Sequence, residues 1–429
     1  MTQNSRKTAH LKFGHPPETI EFWRRLVTEA LSHVSTPLYV FSSEPLAESI
    51  AEIDQELIQA GFKASDTGQP GAVGFRHWLS CKTQPVAPLL QWWRDQGRSI
   101  EVVSEFELRA ALAVGFAPEE ILVNGPAKHH WLKEFDLPGL SVHFDSPGEL
   151  ATLLPVAKRS AWRIGIRILT GEEIDPENPQ FPTQFGFEPA AAVGALRKLV
   201  RAKARIETVH FHLRSNVSSV QVYERAIAEV AEICRTADFK PRHLDIGGGV
   251  PVRHVLSRGS KVFDGEFGLR SFAKMLRQAV KAFPGLRELW LENGRFISAG
   301  SGVLAVKILD VKERRGIRQL ICDGGRTMNA ITSLWEQHAL LLPPERTGAM
   351  VLTAVHGPTC MAFDQLARIP LPRSLKPGDH LIWLDAGAYH IPWEVRFSHG
   401  HAAVCWHDEQ GLRPVRTPQS FKSWWSQWQ

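Results

Sequence analysis

Four groups of residues in this 429-residue chain have the types and spacing to do chemistry. Lys82 follows the apolar run Gly74 to Cys81. It offers a primary amine, which becomes nucleophilic when a buried or crowded setting lowers its pKa. His212 closes a run that begins at Ile206, and Glu292 closes one that begins at Glu288. The stretch Leu244-Asp-Ile-Gly-Gly-Gly-Val-Pro251 breaks a short apolar run into three glycines. Such a break lets the backbone turn tightly and bring N–H groups against an anion, phosphate above all. Taken singly, each group has a plain structural alternative. Three glycines make a tight turn, Lys82 a solvated lysine, His212 a satisfied core histidine, and Glu292 a helix N-cap acid. What separates the two readings is whether the chain brings the groups to one place.

The elements that would do so form a rhythm. Thr36 to Ser42 reads as a strand and about Pro45 to Ala60 as a helix, after a polar leader. From Gly74 onward, short apolar runs alternate with helically spaced segments. The runs are Gly74–Cys81, Ser99–Val103, Ile121–Val123, Ser141–Phe144, Trp162–Ile168, Ile206–His212, His243–Ile246 and Glu288–Glu292. Between them Val86, Leu89, Leu90 and Trp93 sit at i, i+3, i+4 and i+7 of one helix face. Ser104 with Glu107, and Ser146 with Glu149, have capping-box spacing. Eight βα units predict an α/β fold of the closed (β/α)8, TIM-type barrel class, since a doubly wound open sheet needs only five or six strands. In such a barrel the C-terminal strand ends converge on one mouth, where Lys82, His212, the glycines and Glu292 would meet. The link from Thr170 to Thr183 is long, polar and Pro-containing, which predicts an excursion over the surface near a site. Past Gly300, strand-like runs separated by turn-rich stretches predict a second, mostly β domain. The expected division is 1–42 as an N-terminal segment lending a strand to the β domain, 43–298 as the barrel and 299–429 as the C-terminal β domain.

Composition removes several function classes. With 43% hydrophobic and 22% charged residues the chain can bury a full core. Its net charge of +5 and pI near 9.0 are spread without a basic block, so no nucleic-acid partner is expected. Met1 to His10 lacks the apolar core of a signal peptide, and no run approaches a membrane span, so the expectation is a cytoplasmic protein without a membrane partner. Five cysteines without CxxC spacing predict reduced thiols and no metal site. Most of the fourteen tryptophans should pack in cores or interfaces, and the Trp-rich tail Phe421 to Gln429 reads as a packing or subunit-contact segment.

A phosphate cradle, an amine, a flat ring and a carboxylate around one cavity are what a pyridoxal phosphate site requires. The lysine bonds the cofactor's aldehyde, an imidazole stacks on its ring, and a carboxylate keeps the pyridine nitrogen protonated so that the ring acts as an electron sink. The sequence resembles the fold type III, alanine-racemase-like pyridoxal phosphate enzymes, most closely the ornithine and diaminopimelate decarboxylases. Motifs recur in that family's order: Thr36-Pro-Leu-Tyr-Val40, Ser80-Cys-Lys-Thr83, Val102-Val-Ser104, Phe185-Gly-Phe187, His210-Phe-His-Leu-Arg-Ser215, Leu244 to Gly249, Glu292-Asn-Gly-Arg295, Gly357-Pro-Thr-Cys360 through Asp364, and Gly387-Ala-Tyr389. The resemblance implies that Lys82 holds pyridoxal 5'-phosphate and that His212 stacks on its ring. It implies that Ser215, Gly247, Gly248, Gly249 and Arg295 bind the phosphate with Tyr389 nearby, and that Glu292 pairs with the pyridine nitrogen. It further implies a homodimer in which Cys360 and Asp364 of the β domain reach the partner's mouth, Cys360 as candidate proton donor; a small buried thiol is its structural alternative.

Departures from the family pattern bear on the substrate. Leu213-Arg214-Ser215 stands where relatives have Ile-Gly-Ser, so Arg214 either contacts phosphate or a substrate carboxylate or points outward. The acid that usually follows the cysteine, and meets a distal amine, is Met361 here, and a thioether cannot pair with an ammonium. The arginine that similar diaminopimelate enzymes carry after the Asp-Gly-Gly turn has no counterpart at its offset in Asp323 to Leu334; Arg326 is the nearby candidate. The resulting expectation is decarboxylation of an amino acid or a derivative by an enzyme other than a standard diaminopimelate or ornithine decarboxylase. The alternatives are a racemase on the same scaffold and a non-catalytic relative. Keeping both Lys82 and Glu292 argues against the latter, and the lack of G-x-G-x-x-G spacing argues against a dinucleotide-binding protein.

Overall fold

The computed structural model describes residues 11–64, 68, 72–174 and 183–429. Met1 to His10 and most of the polar link before Thr183 therefore lie outside the described residues. The chain forms two compact units, Ser49–Pro251 with Asp264–Phe296, and Met1–Glu48 with Val252–Phe263 and Ile297–Gln429.

In the first unit eight parallel strands close in sequence order. They are Gly74–Ser80, Ser99–Val102, Ile121–Val123, Ser141–Phe144, Arg163–Arg167, Ile206–His210, His243–Asp245 and Glu288–Leu291, the last bonded to both the first and the seventh. Helices buried along one face cover the barrel, and their starts follow the local sequence. Ser104 Oγ accepts from Glu107 N and Ser146 Oγ from Glu149 N, each at 3.2 Å. The reciprocal bonds land one residue before the cap, from Val103 N to Glu107 at 2.8 Å and from Asp145 N to Glu149 at 2.9 Å. Within the barrel, below the strand ends, Trp78 packs edge-on against Trp290 at 4.8 Å beside Leu122. These rings fill the middle of the barrel; His243 and Glu288 lie against Trp290 at its N-terminal end, and Lys82, His212 and Glu292 lie at the C-terminal mouth.

Six of the eight strands end one or two residues before the apolar runs do, and two of these ends shape the site. The first strand stops at Ser80 and the chain winds into a single 3-10 turn, Cys81–Thr83, closed by Thr83 Oγ1 donating to Ser80 O at 2.7 Å. The sixth stops at His210. Phe211 N still donates to Asp245 O at 3.1 Å, but the neighbouring strand ends there and turns at Gly247, so His212 lies in a loop.

The second unit is built on a nine-stranded sheet. Leu38–Ser42 runs antiparallel to Gly302–Arg314 and parallel to Ala403–Asp408. The segment before Thr36, expected as a polar leader, contains the helix Pro17–Leu31. Trp23, Leu26, Val27 and Ala30 on it join the core made by Leu38, Val40, Val303 and Ile382. Full burial of each larger side chain contributes about 1.5–3 kcal/mol, enough to hold the helix on the sheet. Besides the two-residue strands Leu256–Ser257, Glu336–Gln337 and Leu340–Leu341, two longer ones escaped the sequence pattern, Gln365–Pro372 and Gly411–Arg416. Both contain proline, and both stand at edges of the sheet, where a missing N–H is tolerated. Trp23, Trp78, Trp93, Trp162, Trp290, Trp383 and Trp406 are fully buried. In the tail Trp424 is half-buried, whereas Phe421, Trp425 and Trp428 are exposed.

Candidate active site

The amine of Lys82 is set by its own turn. Its Nζ donates to Ser80 Oγ at 2.6 Å and to Glu101 Oε2 at 3.0 Å, and Ser80 Oγ donates to the same carboxylate. Glu101, on the second barrel strand, is buried, whereas the Lys82 side chain is 38% exposed. The carboxylate therefore fixes the direction of an amine that a ligand can reach. Lys128, in contrast, is fully enclosed and donates to Glu149 Oε2 at 2.5 Å and Gly125 O at 2.8 Å, which leaves it as a structural pair. Beside Lys82, burial pushes the Cys81 thiol up, so it stays protonated and does not compete as a nucleophile. Burial, then the charge of Glu101, raises Glu107 to about 7.

The three glycines are required by contact as well as by conformation. Gly247 and Gly249 have φ of +62° and +112°. A Cβ at Gly247 would lie 2.5 Å from His212 Nδ1, one at Gly248 2.6 Å from Glu292 O, and one at Gly249 2.7 Å from Tyr223 Oη. Tyr223 Oη donates to Gly248 O at 2.8 Å and Glu292 N donates to Gly247 O at 2.8 Å, which ties the turn to its neighbours. Two of the three glycine amides are spent internally. Gly247 N donates to Asp245 Oδ1 at 2.9 Å and Gly248 N to His212 Nδ1 at 3.1 Å. Among the described residues the Gly249 amide has no acceptor, so it is the one of the three left for an anion.

The bond from Gly248 makes His212 Nδ1 an acceptor, and burial, with the charges of Arg167 and Lys82, holds its pKa well below the usual imidazole range. The ring is therefore neutral and fixed in orientation, as a stacking group must be. Glu292, at the end of the eighth strand, is buried and accepts from Asn124 Nδ2 at 2.5 Å. Burial first, then the carboxyls of Asp245 and Glu101, hold its pKa well above the usual carboxylate range, while Lys82 and Arg167 pull it down. Burial likewise raises Asp245 to about 7. Arg295 follows on the short helix Gly294–Ser298, half-buried. That helix fits against the Lys82 turn because Gly294 has no Cβ, which would lie 2.6 Å from Thr83 Cγ2. Ser215 is exposed in the loop after His212, and Arg214 turns its guanidinium to the backbone, donating to Glu172 O at 3.2 Å.

The barrel thus brings Lys82, His212, Gly247, Gly248, Gly249 and Glu292 into one network. It adds residues that the sequence reading passed over: Glu101, Asn124, Arg167, His210 and Asp245. Arg167 is buried at the end of the fifth strand, donates to Glu173 Oε1 at 2.8 Å and lies over the Phe185 ring at 4.3 Å. The rule that singled out Lys82 and Glu292, a polar residue at a strand's C-terminal end, marks Arg167 and Asn124 equally. A reachable amine, a glycine turn that admits no Cβ, a neutral ring and a buried carboxyl fit the aldehyde, phosphate, ring face and ring nitrogen of pyridoxal phosphate.

The remaining expected residues lie in the other unit. Cys360 is exposed on the loop Gly357 to Asp364. Asp364 is buried and turned into its own loop: its oxygens accept from Thr359 Oγ1 at 2.6 Å, Thr359 N at 3.1 Å and Arg326 N at 2.7 Å. Gly325 and Gly357 leave room for it, since a Cβ on either would lie 2.3–2.4 Å from its carboxyl. This geometry makes Asp364 the staple of the Cys360 loop, where a reach into the partner's mouth was expected. Arg326 and Met361 line a groove of about 440 Å³ with Thr327, Ala330, Phe363, Trp393 and Val395, and the Arg326 guanidinium lies over the Phe363 ring at 5.0 Å. Tyr389 is half-buried against Val252, Val255, Ala299 and Ala388.

Comparison with known proteins bears out the family resemblance. A family model described as the pyridoxal binding domain of pyridoxal-dependent decarboxylases matches residues 76–299. A diaminopimelate decarboxylase of Actinosynnema pretiosum is 31% identical over 328 residues, covering 72% of each chain. One of Deinococcus radiodurans is 27% identical over 405 residues, 92% of this chain and 97% of the other. Among solved structures, the Helicobacter pylori diaminopimelate decarboxylase complexed with L-lysine matches with a TM-score of 0.78 at 21% identity, covering 94% of this chain and 98% of that one. The Vibrio vulnificus lysine/ornithine decarboxylase complexed with cadaverine matches with a TM-score of 0.72 at 18% identity, over 87% and 95% of the two chains. These two show a shared fold.

Proposed function

The chain belongs to the pyridoxal-dependent decarboxylases, carboxy-lyases that use pyridoxal 5'-phosphate, and from that premise we propose how its residues divide the work. Lys82 holds the cofactor, His212 stacks on its ring, Gly249 with Ser215 and Arg295 takes its phosphate, and Glu292 pairs with the ring nitrogen. When bound, the cofactor supplies an electron sink for the pair left behind as the α-carboxyl departs as carbon dioxide. Glu101 and Ser80 would aim the Lys82 amine at the cofactor, and the glycine turn excludes side chains, leaving the Gly249 N–H as the polar group there. Cys360 or Lys82 returns a proton to the product carbon. The chain works as a homodimer in the cytoplasm, the Cys360 loop serving the partner's mouth.

The observation that carries this reading is the pairing of one reachable amine, locked on Glu101, with a buried carboxyl at the eighth strand end. Purified protein should show the long-wavelength absorption of a lysine-bound pyridoxal cofactor, and Lys82→Ala should abolish it. A wild type that stays colourless after reconstitution would refute the assignment.

The substrate follows from the groove around Met361. Its described lining holds a single cation, Arg326, and no acid. It suits a distal carboxylate or an apolar end better than a bare ammonium, which would be desolvated without a partner. We therefore place ornithine and lysine low. A second reading, diaminopimelate, is favoured by the relatives of that name and by its distal carboxylate, which Arg326 can meet. Carbon dioxide release from a panel of diaminopimelate, ornithine, lysine, dicarboxylic and apolar amino acids decides between them. Ornithine or lysine as the best substrate would overturn the argument from Met361.

A further inference from the structure

Glu292 does not stand alone on the floor of the mouth. Its carboxyl is grouped with Asp245, His143 and His210, each from a different strand and none more than 5% exposed. One ligating atom from each lies within 4.8 Å of the others. Asn124 satisfies Glu292 Oε1 and the Gly247 amide satisfies Asp245 Oδ1. The other oxygen of Asp245 and all ring nitrogens of His143 and His210 have no hydrogen-bond partner among the described residues. What remains are approaches too long for hydrogen bonds, 3.9 Å from His143 Nδ1 to Asp245 Oδ2 and 3.8 Å from His210 Nε2 to Glu292 Oε2. Burial keeps both imidazoles neutral, so the set contains no cation of its own. The charges facing it from other elements are Lys82 and Arg167 against Glu101. Two carboxyls facing each other in such a volume do not both ionise, and one proton held between them removes the repulsion.

We propose that Asp245 is a positioning residue for the reaction: it and Glu292 hold one proton between them in the cofactor-free chain, and Glu292 gives that proton to the pyridine nitrogen on binding. The inference rests on the pairing of Glu292 with the ring nitrogen. The count balances, because the proton that leaves the carboxyl pair is the one gained by the nitrogen, and both carboxylates then face a cation. The neutral rings of His143 and His210 enclose the pair without competing for the proton. A divalent metal is the other occupant such a set suggests. Metal bonds of about 2.0–2.1 Å place tetrahedral ligands roughly 3.4 Å apart, closer than these approaches, and the metal would take Glu292 from the cofactor.

The test counts protons. Cofactor-free chain is titrated calorimetrically with pyridoxal phosphate in two buffers of different ionisation enthalpy, for wild type and Asp245→Asn. Removing the Asp245 carboxyl takes away the repulsion that helps keep Glu292 protonated, so the variant stores less proton and should take up more on binding than wild type, by up to about one per chain. A merely structural role for Asp245 would weaken binding and leave that count unchanged. In wild type alone, the infrared band of a protonated carboxyl should disappear when pyridoxal phosphate is added, a readout that survives even if the variant does not fold. Equal proton uptake, or no such band, overturns the proposal. So does tight binding of one Zn2+ by the cofactor-free chain that His143→Ala abolishes, which would assign the set to a metal. Persistence of the cofactor band in Lys82→Ala would instead overturn the site assignment itself.

Discussion

Gly248→Ala tests the cradle without altering any charge. Gly248 lacks the positive φ of Gly247 and Gly249, so alanine is conformationally allowed and crowding alone acts. The added Cβ would lie 2.6 Å from Glu292 O and 3.3 Å from its carbonyl carbon. That carbonyl cannot simply swing away, because it accepts from Gly294 N at 2.7 Å, and Gly294 is itself pressed against the Lys82 turn. Overpacking of this kind costs about 1–3 kcal/mol. If the strain falls on the bound state, the Kd for pyridoxal phosphate rises roughly 5- to 150-fold. Gly194→Ala is the control: it lies in the helix Pro189–Arg201 with nothing within 4 Å of the new methyl, so it should stabilise by about 0.5–1 kcal/mol and leave the Kd alone. Fluorescence titration with the cofactor, paired with urea unfolding of the cofactor-free chain, reads both. A Gly248→Ala chain with wild-type affinity and the stability of Gly194→Ala would refute the contact argument.

Two further predictions concern charge. Glu107 is raised from an ordinary 4.5 to about 7 in the folded chain. Its contribution to stability is therefore present below about 4.5 and lost as pH rises through 7, some 3 kcal/mol at about 1.4 kcal/mol per pH unit. Glu107→Gln should flatten this decline in urea unfolding between pH 5 and 7.5, and identical slopes for the two proteins would count against it. Met361→Glu adds the acid the groove lacks, so carbon dioxide release from ornithine or lysine should rise roughly tenfold, about 1.4 kcal/mol. An unchanged rate would detach specificity from that residue.

What was legible in the sequence followed from periodicity. All eight barrel strands could be read because each is a short apolar run between helical segments, and the glycine turn was visible because three glycines have few other uses. The edge strands Gln365–Pro372 and Gly411–Arg416 were hidden by their prolines, whose meaning depends on being at an edge, a property of the assembled sheet. The helix Pro17–Leu31 was concealed by polar residues that outnumber its buried stripe. Within the site, the residues that could react were evident by type. The residues that set them could not be ranked, because Glu101, Arg167 and Asp245 sit at strand ends that look alike until their partners are known.

Those partners show why Asp245 is the informative residue of the mouth. Glu101 has Lys82 and Ser80, Glu173 has Arg167, Glu149 has Lys128, and the outer oxygen of Glu292 has Asn124. Each of these buried acids is matched to a donor from another strand or loop. Asp245 has only the Gly247 amide on one oxygen and faces a second carboxyl with the other. A buried acid left in that state lowers stability unless it is protonated. Its place on the floor of the mouth is therefore best explained by the proton it keeps for Glu292.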